Sequence, residues 1–273
     1  MEEKDVNTWE GFKIELANLR QDRCQSIKTD NSYPLLFRGQ ENSCWPLRTT
    51  LDRRRKQVLF KDYYRVISKI KPQIESFTGK EWLIDEYAEV MRQTATYDLF
   101  SLDLSFGKCP AYAYMAYLRH HRFPSPLLDW SRSPYVAAYF AFNKANETSG
   151  GRVSIYVLSG IRNKISGNRM QVVYRPGPYV NTHPRHFLQQ SEYTLCLNFD
   201  EEWRFEQYHK VFDDGLHQQG ICWQITIPAS EKRKVLQELG EYNLNSFSLF
   251  GSEESLMDTL AAQEFCLPQE CNE

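Results

Sequence analysis

The run Phe37-Arg38-Gly39-Gln40 sets a guanidinium at the end of a short apolar stretch and follows it with a residue that has no side chain. A rigid fork of donors beside such a turn is a way to hold phosphate or carboxylate. A second cluster runs from His120-His121-Arg122 through Leu127-Leu128-Asp129-Trp130-Ser131-Arg132-Ser133 to Pro134. Asp129 sits among apolar neighbours, so its carboxylate needs a partner; Arg38 and His121 are the candidates. Ser131 and Ser133 bring hydroxyls to a polar turn, and Ser133 before Pro134 also has the form of a helix cap. Two consecutive histidines at a helix end point in different directions and make a poor metal pair. One of them bonds in the core or contacts a ligand. The third cluster, Asn181 to Tyr193, contains Gln189-Gln190-Ser191-Glu192, and the nearest acid before Glu192 is Glu147. A lone carboxylate amid basic and amide groups suits stabilisation of a cationic transition state; it also suits a strand edge in solvent.

These residues need elements to position them. Residues 7–23, 57–77 and 81–100 have helical apolar spacing, and Pro110 to His121 opens with proline at a first-turn position. Pro34 to Gly39 and Pro126 to Trp130 read as short buried strands, the second leading through a polar turn into a helix from Tyr135 to about Lys144. After Gly150-Gly151 the pattern turns to strands at 153–158, 171–174, 193–199 and 222–228. A helix over 230–239 stopped by Gly240, and a closing helix over 252–263, complete the reading. Helices crowd the first half and strands the second, which predicts an α+β fold in one domain over residues 1–273.

Charge is unevenly spread. The formal net charge is -2, from 33 Lys and Arg against 35 Asp and Glu, which excludes a uniformly basic binder of the histone type. Nine of the basic residues, with only two acids, fall between Arg48 and Lys71; six, with no acid, fall between Arg152 and Leu188. Acids gather later, as in Asp200-Glu201-Glu202 and Asp213-Asp214. A carboxylate-free stretch with glycine and proline suits contact with pyrophosphate or a nucleic-acid backbone. Aromatic residues reach 14%, enough to line a pocket for flat rings.

At 41% hydrophobic residues and a mean hydropathy of -0.59, the composition is that of a folded globular protein. The charged start Met1-Glu2-Glu3-Lys4-Asp5 predicts no signal peptide, and the longest apolar runs are too short to span a membrane. Seven scattered cysteines without a CxxC pair read as reduced thiols, so a cytoplasmic location is expected and no metal site.

The Phe37-Arg38-Gly39 triplet, the Trp9-Glu10-Gly11-Phe12 helix, the block from His120 to Ala141, the block Asn181, Arg185, Gln189-Gln190 and the tail from Ile225 to Phe250 occur in one order. In these blocks, over roughly residues 7–262, the chain resembles the FRG-domain family, with Arg122 and Ser125-Pro126 standing where that family commonly has Gly and Thr-Arg. FRG domains are similar to the ADP-ribosyltransferase superfamily. The resemblance implies a helical N-terminal half packed on an ADP-ribosyltransferase-like split β-sheet core, with NAD as substrate. By it, Arg38 holds the NAD phosphate or ribose beside Gly39. Ser131 or Ser133, with Tyr139, faces the nicotinamide ribose or its ring, and His121 is a further candidate contact. Gln190-Ser191-Glu192 matches Gln-x-Glu: Glu192 stabilises the oxocarbenium ion and Gln190 orients the acceptor.

The expectation is therefore an NAD-dependent mono-ADP-ribosyltransferase. Its acceptor is a nucleic acid, RNA ahead of DNA or protein, as the basic stretches and aromatic content favour. Some FRG-type proteins resemble toxins of bacterial toxin–antitoxin and phage-defence systems, which implies an antitoxin partner. The alternatives are a non-catalytic module that binds nucleotide or nucleic acid and, last, a nuclease, for which the clustered metal-binding carboxylates are missing.

Overall fold

Alternating apolar residues supply the inward faces of a long sheet. In Arg152–Leu158 and Cys222–Pro228, the residues Val153, Ile155, Val157, Trp223, Ile225 and Ile227 all turn to one side. The computed structural model describes residues 1–25, 34–54, 57–94, 109–147, 150–160, 162–166, 169–177, 180–212 and 222–266. Among these, nine strands form one mixed sheet. They are β1 (Glu2–Asp5), β2 (Leu36–Gln40), β3 (Leu128–Ser131), β4 (Arg152–Leu158), β5 (Arg162–Ser166), β6 (Arg169–Tyr174), β7 (Ser191–Phe199), β8 (Trp203–Phe205) and β9 (Cys222–Pro228). Their order is β1-β9-β4-β2-β3-β7-β6-β5, with β8 added on β7. Only β1 on β9 is parallel; the other pairings are antiparallel.

The joint between β2 and β3 decides where a site can form. On its far edge β2 pairs with β4 over five residues, and β3 pairs with β7 over four. Between them β2 and β3 share one bridge, Phe37 to Ser131. Beyond it the strands part, so residues 38–40 and 128–130 face each other without a continuous ladder.

Helices cover one face of the sheet in two groups. On one side of the joint lie α1 (Trp9–Gln25), α5 (Pro134–Phe142) and α8 (Lys232–Glu241), packed on the apolar side chains of β4 and β9 with Phe37. On the other, α2 (Phe60–Thr78), α3 (Tyr87–Thr94) and α4 (Tyr112–His120) cover Tyr193, Leu195 and Leu197 of β7 and Val172 and Tyr174 of β6. A smaller cluster of Leu36, Leu128, Trp130, Tyr156, Leu158 and Val173 lies on the opposite face. Short helices α6 (Arg185–Leu188), α7 (Tyr208–Phe212), α9 (Ser246–Phe250) and α10 (Glu253–Ala261) fill the connections. No helix among the described residues is long and apolar enough to cross a membrane.

The α and β content agrees with the expectation, while several boundaries move. Residues 81–86 do not join the helix expected over 81–100; α3 begins at Tyr87, and 95–100 lie outside the described residues. There the Trp82 amide donates to Glu75 Oε1 (2.6 Å) and the indole packs against Tyr114 and Tyr117, contacts a helix through 82 would have to give up. Gly240 does not stop its helix. It lies inside α8, and the left-handed turn falls at Asn243 (φ 57°), where the Leu244 amide returns to the Leu239 carbonyl at 2.8 Å. The charged N-terminus is a strand, although Glu2-Glu3-Lys4-Asp5 has no β pattern, because an edge strand needs only main-chain partners.

Candidate functional site

A cavity of about 370 Å³ opens where β2 and β3 part. This is the size of a small-molecule site. Its walls come from β2 (Phe37, Arg38, Gly39, Gln40), the following segment (Glu41, Trp45, Arg53), β3 (Asp129, Trp130, Ser131), α5 (Ala137, Phe140), the turn into β7 (Gln189, Ser191) and Phe250.

Arg38 is half-buried at the joint. Its Nη1 donates to the main-chain carbonyl of Asp129 at 2.8 Å, and so spans the gap that the ladder leaves open. Nε of the same group is buried and has no partner among the described residues. Burial lowers the guanidinium pKa to about 10, against the opposing pull of Asp129, so it stays cationic at neutral pH. Gln40 is also buried: its Nε2 donates to the Trp45 carbonyl at 2.9 Å, while Oε1 has no partner among the described residues. Aromatic rings supply the apolar side: Phe37, Trp130, Trp45, which is 48% exposed, and Phe140 and Phe250, the last two in edge contact at 5.9 Å.

Gly39 has a direct steric reason. A Cβ built there would lie 1.9 Å from the Ala137 carbonyl oxygen and 2.6 Å from the Ala141 amide nitrogen. Only glycine lets α5 press onto β2, and that contact brings Ala137 and Phe140 to the cavity.

Asp129 takes neither partner expected for its carboxylate. Arg119 grips it with two bonds, Nε to Oδ1 at 3.1 Å and Nη2 to Oδ2 at 2.5 Å. Arg38 meets the main chain of Asp129, and His121 is exposed and packs on the Tyr117 ring, 4.3 Å between centroids. Burial by itself would raise the Asp129 carboxyl; Arg119 and Arg38 outweigh it and hold the group below its usual range. The other histidine, His120, bonds to the Tyr193 hydroxyl at 2.9 Å, and burial drops its pKa to about 4.

The remaining candidates divide. Ser131 lines the cavity, but its hydroxyl already donates to the Gln189 carbonyl (2.8 Å) and accepts from the Ser133 amide (3.0 Å). Ser133 caps α5, accepting from the Val136 amide. Tyr139 projects from α5 away from Arg38, into a separate cavity of about 420 Å³ against α8, α9 and α10. Gln190 is exposed in a left-handed turn (φ 47°), and its neighbour Gln189 is the one that lines the cavity.

Glu192 does not join Arg38 in the cavity. It pairs with Trp130 in the β3–β7 ladder and shares the sheet face of Trp130 and Arg38, yet it is not among the residues that line the cavity. It is fully buried there, with one oxygen held by Arg132 Nε and the other by Arg175 Nε. Arg175 in turn donates to the Pro34 carbonyl at 3.1 Å. The carboxylate thus ties β7 to the β3–α5 turn, the end of β6 and the lead into β2. Arg175, Arg119, Trp45 and Glu41 were not legible as site residues, since each is set by pairing across the sheet or by a loop fold. The six-residue basic excess between Arg152 and Leu188 carried one signal, because it contains Arg175.

Among the described residues no group of three or more His, Cys, Asp or Glu side chains could hold a metal ion. Cys44, Cys109, Cys196 and Cys222 are free thiols. Arg55-Lys56 and Asp213-Asp214 lie outside the described residues, as do the side chains of 161–170.

Residues 33–150 match the family model of the FRG domain. The matched segment holds β2, β3, α5 and every cavity residue except Gln189, Ser191 and Phe250. It is shorter than the 7–262 over which the sequence blocks extend. No curated protein and no solved structure matches the chain.

Proposed function

We propose that the β2–β3 cleft binds NAD and that the protein is an NAD-dependent mono-ADP-ribosyltransferase. One observation carries this reading: two guanidinium groups and five aromatic rings converge on a 370 Å³ cavity at a break in the sheet. Arg38 and Arg53 face the pyrophosphate, whose charge a guanidinium fork matches. Trp45, Phe140 and Phe250 offer surfaces for adenine or nicotinamide. In the transfer the bond between ribose C1′ and the nicotinamide nitrogen breaks, and its electron pair leaves with nicotinamide. An acceptor oxygen or nitrogen then bonds to C1′ and releases its proton. The acceptor in this reading is a nucleic acid, RNA foremost. The setting that the FRG resemblance favours is a bacterial toxin or anti-phage effector with an antitoxin partner.

The burial of Glu192 between two arginines favours a second reading, a module that binds nucleotide or nucleic acid without turnover. Incubating the purified chain with labelled NAD and RNA, DNA or lysate protein separates the two. Label on RNA, with saturable NAD binding by calorimetry, is the expected result. Binding without nicotinamide release would favour the second reading, and no binding would end both uses of NAD.

A further inference from the structure

We infer that Glu41, at the mouth of β2, is the carboxylate that faces the ribose when the glycosidic bond of NAD breaks; this rests on reading the cleft as an NAD site. Two carboxylate residues line the cavity, Glu41 and Asp129. Asp129 is committed, because both its oxygens are bonded to Arg119. Glu192 is committed to Arg132 and Arg175 and lies off the cavity. Glu41 is half-exposed, follows the last residue of β2, and forms no ion pair with a described residue. It also stands three residues from Arg38, on the same stretch of chain that carries the phosphate-binding guanidinium. A substrate with its pyrophosphate on Arg38 therefore has this one uncommitted carboxylate along the same wall.

The chemistry needs such a group. As the C1′–N bond lengthens, positive charge moves from the pyridinium onto C1′ and the ring oxygen, and the electron pair departs with neutral nicotinamide. A fixed anion close to C1′ stabilises that charge where it develops. When the acceptor then bonds to C1′, the Glu41 carboxylate takes the proton it releases and passes it to water, so charge and protons balance over the cycle. Asp129 and Arg119 do not enter this step; their ion pair supports the wall from behind.

The test uses the full chain and three variants, Glu41→Gln, Glu41→Asp and Glu192→Gln, each checked for folding by circular dichroism. Nicotinamide release from NAD is followed with and without RNA, and NAD affinity is measured by calorimetry. Glu41→Gln should cut the turnover rate by about 10²- to 10³-fold while NAD affinity changes less than about 3-fold, and Glu41→Asp should recover part of the rate. If Glu41→Gln turns over at the wild-type rate, or loses affinity alone, the assignment of Glu41 is overturned while the NAD reading stands. If wild type neither binds NAD nor releases nicotinamide, the NAD reading fails and takes this inference with it. A folded Glu192→Gln that loses turnover while Glu41→Gln keeps it would return the role to Glu192.

Discussion

Arg38 shows how much one side chain does at the joint. It closes the gap between β2 and β3 through the Asp129 carbonyl, while its Nε is buried without a partner among the described residues. On the reading of the cleft as an NAD site, replacing Arg38 by alanine removes a charge-assisted contact worth about 1.5–3 kcal/mol, so NAD should bind roughly 10- to 100-fold more weakly by calorimetry. Glu192 predicts a different outcome. Removing a buried carboxylate takes an ion-pair partner from Arg175, 3% exposed, and from Arg132. Glu192→Ala should therefore lower stability by about 3–5 kcal/mol in denaturant unfolding. A variant of unchanged stability would show that the buried pairing is unimportant to the fold.

Elements meet on terms set by small residues. The contact between β2 and α5 exists because Gly39 has no Cβ, and the added methyl of Gly39→Ala would overlap α5 backbone, which cannot swing aside as a side chain can. That substitution should cost about 1–3 kcal/mol, read as a fall in melting temperature, and should weaken ligand binding as Phe140 moves. At the end of α8, Asn243 holds the left-handed position. Asn243→Ala should cost about 1 kcal/mol by the same measurement, whereas Gly240→Ala inside the helix should be neutral or stabilising, since a Cβ there meets open space.

The whole molecule carries a pH dependence. His120 has a folded pKa of about 4, below the 6.5 of an unfolded histidine, because burial disfavours its charged form. A base whose pKa is depressed on folding takes up its proton in the unfolded chain first. Stability from this group is therefore complete above about pH 6.5 and declines as pH falls toward 4. Asp129 acts in the same direction further down, since its folded carboxyl lies below its ordinary value and its contribution is lost as the acid form takes over. Melting temperature measured from pH 7 to 4 should fall, and His120→Gln should flatten the upper part of that fall. A profile identical to wild type would remove His120 as its cause. On the reading of the cleft as an NAD site, binding joins groups from β2, β3, α5 and the β7 turn, so saturating NAD should raise the melting temperature as mass action requires.

Local pattern made several parts of this protein readable. Apolar alternation in β4, β7 and β9, the Ser133-Pro134 cap of α5, and Arg38-Gly39 at the end of β2 all depend on neighbours in the chain, and all are present in the structure. What depended on distant pairing was not readable. β1 is a strand because β9 offers it a free edge, and Asp129 belongs to Arg119 because the fold brings the end of α4 within reach of β3. Glu192 could be singled out as the lone acid of a basic stretch, but not aimed. The register of β7 against β3 turns it to the face where Arg132 and Arg175 wait, and a slip of one residue would have sent it the other way. Local pattern is enough for an α+β chain with an arginine at a strand end and a glycine beside it. Which carboxylate reaches the cavity depends on partners far apart in the chain, because Arg132 and Arg175 hold Glu192 while Glu41 lies just past β2 at the cavity wall.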